Sequence, residues 1–343
     1  MHGSLVHRRW DVPGPARINV LRWRLDDPAI GLTTDYALNP GARTDIVDAA
    51  RANGALVAVN GGFWVGENDP DGLLVRSGTL LSDTSALTDG HRNIRSGFGL
   101  RGTRAVVGVP TWNGRVELGT ASLRVDGVNR DRFTNGEVIV HTPGLHPSTM
   151  TTAPGRYLRV PLVDLSVTGT HVLPVLEEAT AGPMPMTADT MVVFVDAHRE
   201  GVPGGVREVT FRVSVAEAWS DLDQALVAGP RVLAGGQGTG VGAWRAEGFP
   251  ASHTDSRHPR SAIGFDAEGH AFIVTVDGRQ PGVSVGMTVS EMAAFLQGLG
   301  VVDAVMLDGG GSSQLVLDGA LVNVPCCDNP LRPVSTAIFL HRR

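Results

Sequence analysis

Forty-four glycines and twenty-one prolines interrupt this 343-residue chain along its whole length. Glycine costs backbone entropy inside a helix, and proline removes a donor and clashes with the preceding turn. Turns are therefore expected to be frequent and helices few. The expected class is α+β, with a β-rich mixed sheet core and few helices. Hydrophobic residues make up 42% of the chain, enough for a substantial core. A single domain over 1–343 is expected. Its motifs fall in 20–100 and 225–343, and 101–224 forms a β-rich middle segment that stays open as a subdomain.

Local periodicity places the main elements. Thr44–Asn53 reads as a helix, with Ile46, Val47 and Ala50 on one face and Asn53-Gly54 as its stop. Leu56–Val59 reads as an apolar strand ending in Asn60-Gly61-Gly62-Phe63-Trp64, where the glycines allow a sharp reversal. The middle alternates short apolar runs, such as Glu137–Val140 and Met191–Val195, with polar turns. Its one chemically suggestive pair is Asn129-Arg130. From 226 onward the pattern sharpens. His270–Asp277 reads as a buried strand, and Thr288 with Glu291 forms a capping box. Val289, Met292, Ala293 and Leu296 give the following helix one apolar face, Gly298 stops it, and Val301–Leu307 is a second strand. This is a strand–helix–strand crossover at 270–307, long enough to join two parallel strands with the usual right hand. Gln314–Leu317, Asp318-Gly319 and Ala320–Val324 then read as a tight hairpin.

Charge and composition exclude several functions. The formal net charge is −6 and no long basic run occurs, so no nucleic-acid partner is expected. All 29 basic residues are arginine, which rules out Schiff-base lysine chemistry and a Walker-type phosphate loop. No apolar run reaches the ~18 residues of a membrane span. Residues 1–10 are basic but lack a signal-like apolar stretch. Localisation stays open: secreted or cell-envelope if a signal was trimmed, otherwise cytoplasmic. The adjacent Cys326 and Cys327 are not expected to staple distant elements. Free thiols and an oxidised vicinal pair are both open.

Candidate chemistry concentrates after residue 250. Asp308 ends a strand and is followed by Gly309, Gly310, Gly311, Ser312 and Ser313. Glycines in a row make sense where an anion approaches main-chain N–H groups, and otherwise form a plain turn. Asp277-Gly278-Arg279 repeats the strand-end carboxylate and adds a guanidinium. The crossover would bring both strand ends to one sheet edge, where open α/β sheets place ligands. Arg260 suits phosphate binding. His258 suits a proton donor or phosphate partner, and His253 is a weaker candidate. Arg332 is a further anion contact or else a surface salt bridge. Glu67, Asp69 and Asp71-Gly72 resemble a calcium loop, but Gly78 stands where its bidentate Glu belongs, so a solvated acidic turn is expected. No zinc spacing and no Gly-x-Ser-x-Gly elbow occur. No cofactor is expected, and a structural divalent cation stays open.

Several of these runs resemble the phosphodiester glycosidase family. Arg257-His258-Pro259-Arg260-Ser261-Ala262-Ile263-Gly264 is similar to its RHPRTA-G signature. Val276-Asp277-Gly278-Arg279-Gln280 with Ser284–Thr288 resembles VDGRQ…S-GMT, and Leu307–Ser313 resembles LDGGGSS. Upstream, Ala58–Phe63 resembles A-NGGFF, and Asn323 and Arg332-Pro333 fit the tail. Two departures are Met306, where relatives carry Asn, and Ser261 for Thr.

The resemblance implies a hydrolase that breaks the sugar C–O bond of a glycosyl-1-phosphodiester. On that reading Asp308 and Asp277 are the catalytic carboxylates. Asn60, Gly61, His258, Arg260, Arg279, Gly309–Gly311, Ser312, Ser313 and Arg332 bind the glycan phosphodiester substrate. Two alternatives stand beside it: a phosphodiesterase that attacks phosphorus and releases sugar-1-phosphate, and a non-catalytic protein that binds phosphoglycans of the cell envelope.

Overall fold

The structure, a computed structural model, describes all residues except 1–2, 15, 39–42, 66–68, 84–86, 89–90, 93, 131–134, 150 and 328–330. The chain divides into two compact units. One comprises Met1–Asp71, Ile94–Val109 and Asp223–Arg343, and the other Gly72–Asn93 and Pro110–Leu222. The class is α+β as expected, with four α-helices among many short strands in the described residues. None of those helices is long and apolar enough to cross a membrane.

The first unit is built on a seven-stranded sheet. Strand Arg260–Phe265 lies between His270–Val276 and Asp303–Met306 and is antiparallel to both. The two outer strands are therefore parallel, one strand apart, and helix Val289–Gly298 connects them. The capping box forms: the Thr288 hydroxyl accepts from Glu291 N at 3.1 Å, and the Glu291 carboxylate accepts from Thr288 N at 2.9 Å. Val289, Met292, Ala293 and Leu296 are buried against Ile18, Val274, Ala304 and Trp244. Each large apolar side chain so buried contributes about 1.5–3 kcal/mol, far more than helix propensity could give ten residues.

A five-stranded sheet in the same unit sets Val57–Asn60 between Thr336–Arg342 and Leu315–Leu317. Helix Ile46–Ala52 starts two residues later than its expected beginning, because Asp45, not Thr44, accepts from Val47 N and Asp48 N as the cap. Ile46, Ala49 and Ala50 cover Ala58, Val316 and Phe339. The expected hairpin turns at Asp318 (φ 49°) and Gly319 (φ 75°), the left-handed pair that a two-residue hairpin loop requires.

The second unit contains a four-stranded antiparallel sheet and a five-stranded sheet whose core includes Ile139, Tyr157, Met184, Val192 and Phe194. Asn129 and Arg130 are internal ties here. The Asn129 amide donates to Leu81 O and Thr142 Oγ1, and Arg130 pairs with Glu137. This unit holds a cavity of about 690 Å³ whose one charged lining residue is Asp164. Among the described residues its lining holds no cluster of catalytic groups.

Candidate active site

Strand pairing in the first unit explains why the marked residues converge. Arg260 opens its strand opposite Val276, and Ala262 lies opposite Met306. Arg260 therefore sits at the edge where the two parallel strands end, and Arg279 and Asp308 follow those ends. All three line one cavity of about 620 Å³. Phe63, Arg95, Phe249, Ser252, His253, Ser256, His258, Gly309, Gly310 and Arg332 also line it. One carboxyl thus faces four guanidinium groups and two imidazoles.

Asp308 is locked through its backbone. Its N–H donates to Gly61 O at 3.0 Å, and its carbonyl accepts from the Asn60 amide at 2.8 Å. Its Oδ1 accepts from Gly309 N at 2.8 Å. The carboxyl keeps partial solvent access at the cavity wall, yet it is ringed by protein. Burial pushes its pKa up to about 6, against the Ser312 hydroxyl, the Gly309 N–H and the charges of Arg332 and Arg95.

The arginines divide by their partners. Arg95 pairs with Asp71 and lies over the Phe63 and Phe249 rings at 4.8 and 5.0 Å. Arg260 is only 1% exposed. Its Nε donates to Met287 O at 2.8 Å, and its Nη2 donates to His253 O at 2.6 Å and Ser256 O at 2.9 Å. Burial, and then the nearby Arg279 charge, lower its pKa to about 10. Arg279 (φ 56°) donates from Nε to His258 Nδ1 at 3.3 Å. Among the described residues neither Arg260 nor Arg279 has a carboxylate partner. Arg260 is desolvated without a counter-ion, which is costly, and an anion in the cavity would offset that cost, while Arg279 is exposed.

Burial lowers the pKa of both histidines, which favours their neutral forms. His253 packs against Phe63 and Phe249. Burial and the Arg260 charge lower its pKa to about 4. His258 lies 3.1 Å from Ser252 O through Nε2. A carbonyl can only accept, so Nε2 carries the proton and Nδ1 is free to accept from Arg279. With both ring nitrogens engaged, His258 orients Arg279 and is not placed as a proton donor.

Several sequence candidates lie behind the cavity wall. Asp277 is 1% exposed and does not line the cavity. Its Oδ1 accepts from the Asn323 amide at 3.1 Å and Val324 N at 3.0 Å, and burial raises its pKa. It braces the 323–324 segment. Ser312 and Ser313 are fully buried and absent from the lining. Gly61 is packed so tightly on Thr336 and Leu226 that a Cβ would not fit. Of the expected phosphate cradle Gly309–Gly311, Gly309 and Gly310 line the cavity, with their N–H groups turned to protein acceptors. Gly309 N–H serves Asp308, Gly310 N–H donates to Pro259 O at 3.0 Å, and Gly311 is buried. The run is rich in glycine for another reason. Gly310 adopts φ 62°, and a Cβ there would lie 3.3 Å from the Arg279 guanidinium.

Asn60 is a buried support. Its Oδ1 accepts from Ser261 Oγ at 2.8 Å and Gln314 N at 3.3 Å, while its Nδ2 donates to Asp308 O and Gly61 O. Asn60→Ala leaves buried partners unsatisfied. It should cost about 2–4 kcal/mol in urea unfolding and reduce any turnover through a loosened Asp308. A variant as stable as the parent would remove Asn60 from this role.

Sequence reading missed Arg95, Phe249 and Ser256. Arg95 and Phe249 lie outside every recognisable run, and only the fold brings them in. It also misjudged Asp71, which is 5% exposed and paired with Arg95, not solvated. Glu67 of the same segment lies outside the described residues. One cluster of carboxylates and imidazole, Asp266, Glu268 and His270, is already cross-linked. His270 Nδ1 is 2.8 Å from Asp266, and Arg22 Nη2 is 2.8 Å from His270 Nε2.

A cationic cavity around one carboxyl whose pKa is raised is suited to an anion and to acid–base or nucleophilic chemistry. Residues 178–341 match the phosphodiester glycosidase family. The chain is 41% identical over 88 residues to N-acetylglucosamine-1-phosphodiester alpha-N-acetylglucosaminidase of Mus musculus, covering 24% of this chain and 17% of that protein. It is 43% identical over 67 residues to an SPbeta prophage-derived uncharacterized protein of Bacillus subtilis, covering 20% of this chain and 10% of that one. The chain thus spans less than a fifth of the length of these curated relatives. The fold is similar to that of a Synechocystis protein, with TM-score 0.77 and 22% identity over 99% of this chain and 62% of that one. It is also similar to a Burkholderia pseudomallei protein, with TM-score 0.71 and 21% identity over 95% of this chain and 74% of that one.

Proposed function

We propose that this chain hydrolyses the anomeric C–O bond of a sugar-1-phosphodiester, giving a free sugar and a phosphomonoester. The observation that carries this reading is the cavity itself: Asp308, with its pKa pushed up to about 6, among Arg95, Arg260, Arg279 and Arg332. Ordinary glycosidases use two carboxylates, one as general acid for a poor leaving group. A phosphate leaves far more readily, because its own second pKa is about 6. Guanidinium groups that neutralise the departing charge can then replace the acid. That fits a cavity with one carboxyl and an Asp277 that braces the wall. Asp308, ionised, takes a proton from the water that attacks the anomeric carbon, or attacks that carbon itself to form a glycosyl ester that water then hydrolyses to the free sugar. The C–O electron pair leaves with the phosphate, and Arg279 holds it together with Arg260 Nη1, whose one hydrogen-bonding contact among the described residues is His253 Nε2 at 3.5 Å. The mouse relative's name makes an N-acetylglucosaminyl phosphodiester the first substrate to try, and phosphoglycans of a cell envelope the wider class.

Hydrolysis in oxygen-18 water tests the bond broken. Label is expected in the sugar C1 hydroxyl and not in the phosphate. Label in the phosphate would establish attack on phosphorus instead. Tight binding with no product from a panel of sugar-1-phosphodiesters would point to a phosphoglycan-binding protein.

A further inference from the structure

Cys326 and Cys327 are joined to each other. Cys326 is buried and Cys327 is exposed, with its backbone in the left-handed region at φ 79°. The residues just before this ring grip both sides of Arg279. Asn323 and Val324 donate to the Asp277 carboxylate, and the Gln280 amide donates to Val324 O at 2.8 Å. The ring itself meets the guanidinium, with Arg279 Nη1 3.7 Å from Cys327 Sγ. On its other side Arg279 leans on neutral His258. Arg279 is thus held by an imidazole nitrogen and a disulfide sulfur, two weak and uncharged acceptors. They fix its direction and leave its charge for an anion. A carboxylate in either place would cancel that charge.

We propose that the vicinal disulfide is a positioning element for Arg279, so that its oxidation state sets how strongly the cavity holds a phosphate group. This rests on the reading of the cavity as a phosphate site, though not on hydrolysis. Opening the ring frees the 325–327 backbone and takes the fixed sulfur away from Arg279. The guanidinium must then be ordered again on each binding event. Immobilising one long side chain weakens binding about two- to tenfold. The chemistry balances with a dithiol reductant. Two electrons and two protons pass from dithiothreitol, the Cys326–Cys327 bond breaks to two thiols, and dithiothreitol closes to its cyclic disulfide.

The test is calorimetric titration of inorganic phosphate into the oxidised protein and into protein reduced by dithiothreitol and then freed of it without air. Alkylation and mass measurement establish the redox state. Expected are a phosphate Kd two- to tenfold weaker after reduction, recovery on reoxidation, and an unchanged melting temperature. Cys326→Ser/Cys327→Ser should match the reduced protein under both conditions. Arg279→Ala should bind phosphate weakly and show no redox difference. Equal Kd in the two states would overturn the proposal. So would a redox difference that persists in Arg279→Ala, thiols that stay alkylatable after oxidation, or no phosphate binding by the oxidised protein. Redox-dependent binding without hydrolysis of any sugar-1-phosphodiester would leave this inference standing and remove the hydrolase reading.

Discussion

Asp308→Asn is expected to lower turnover of a sugar-1-phosphodiester by at least about 10²-fold while the fold survives. The amide keeps the shape of the carboxyl and can still accept from Gly309 N. What it cannot do is deprotonate water or form a bond to the anomeric carbon. The wild-type rate should rise with pH through about 6, as Asp308 ionises, and then level off. A phosphodiester does not titrate in that range, so the limb belongs to the protein and should vanish in the variant. Stability should move the other way. The folded pKa of Asp308 is raised above its unfolded value, so its contribution is fully present below about 4 and is lost as pH rises through about 6. At pH 7 the wild type bears an ionised, largely desolvated carboxylate that the amide lacks. The variant should therefore melt no lower than the parent. Turnover within threefold of wild type would remove Asp308 from the chemistry.

What was legible in the sequence follows from how local each signal is. The capping box at Thr288 and Glu291, the apolar face at Val289 to Leu296 and the Asp318-Gly319 turn are short-range patterns, and each occurs where expected. The convergence of Arg260, Arg279 and Asp308 was also within reach, because two parallel strands must end at the same edge. The direction of individual donors was not. Three glycines after a strand-end carboxylate look like an anion cradle, yet the Gly309 and Gly310 N–H groups serve Asp308 and Pro259. Nothing local distinguishes that from a ligand site, since the same φ freedom permits both. Asp277 and Asp308 look equivalent in sequence. Only the Asn323 and Val324 donors, some forty-six residues on, turn one of them inward. Arg95 carries no motif at all and joins the cavity through Asp71 and two aromatic faces.

Arg260→Lys should be the most damaging conservative change in the chain, and for a reason that sequence alone did not suggest. A guanidinium reading phosphate through a free fork would lose mainly kcat on replacement by lysine. In the structure Nε and both hydrogens of Nη2 are committed to Met287 O, His253 O and Ser256 O. His253 O belongs to the short helix Ala251–Thr254 and Ser256 O lies just after it, and that helix presents Ser252 and His253 to the cavity. Lysine ends in one point donor and cannot span all three. Met287 O still accepts from His258 N, so the uncompensated carbonyls are chiefly His253 O and Ser256 O. At about 1–3 kcal/mol for each buried acceptor left bare, unfolding in urea should show a loss of about 2–4 kcal/mol. The charge is at risk as well. The site already lowers Arg260 to about 10, mainly by burial, and an ammonium starts from a lower pKa and yields more readily to desolvation. Turnover should fall at least about 10²-fold, with kcat and KM both affected. The loss should extend to an activated aryl glycoside that carries no phosphate, because the wall bearing His253 and Ser256 shifts for either substrate. A lysine variant with parental stability and a loss confined to phosphodiesters would show the opposite: Arg260 would then act on the phosphate alone, and the carbonyl contacts would be incidental to its role.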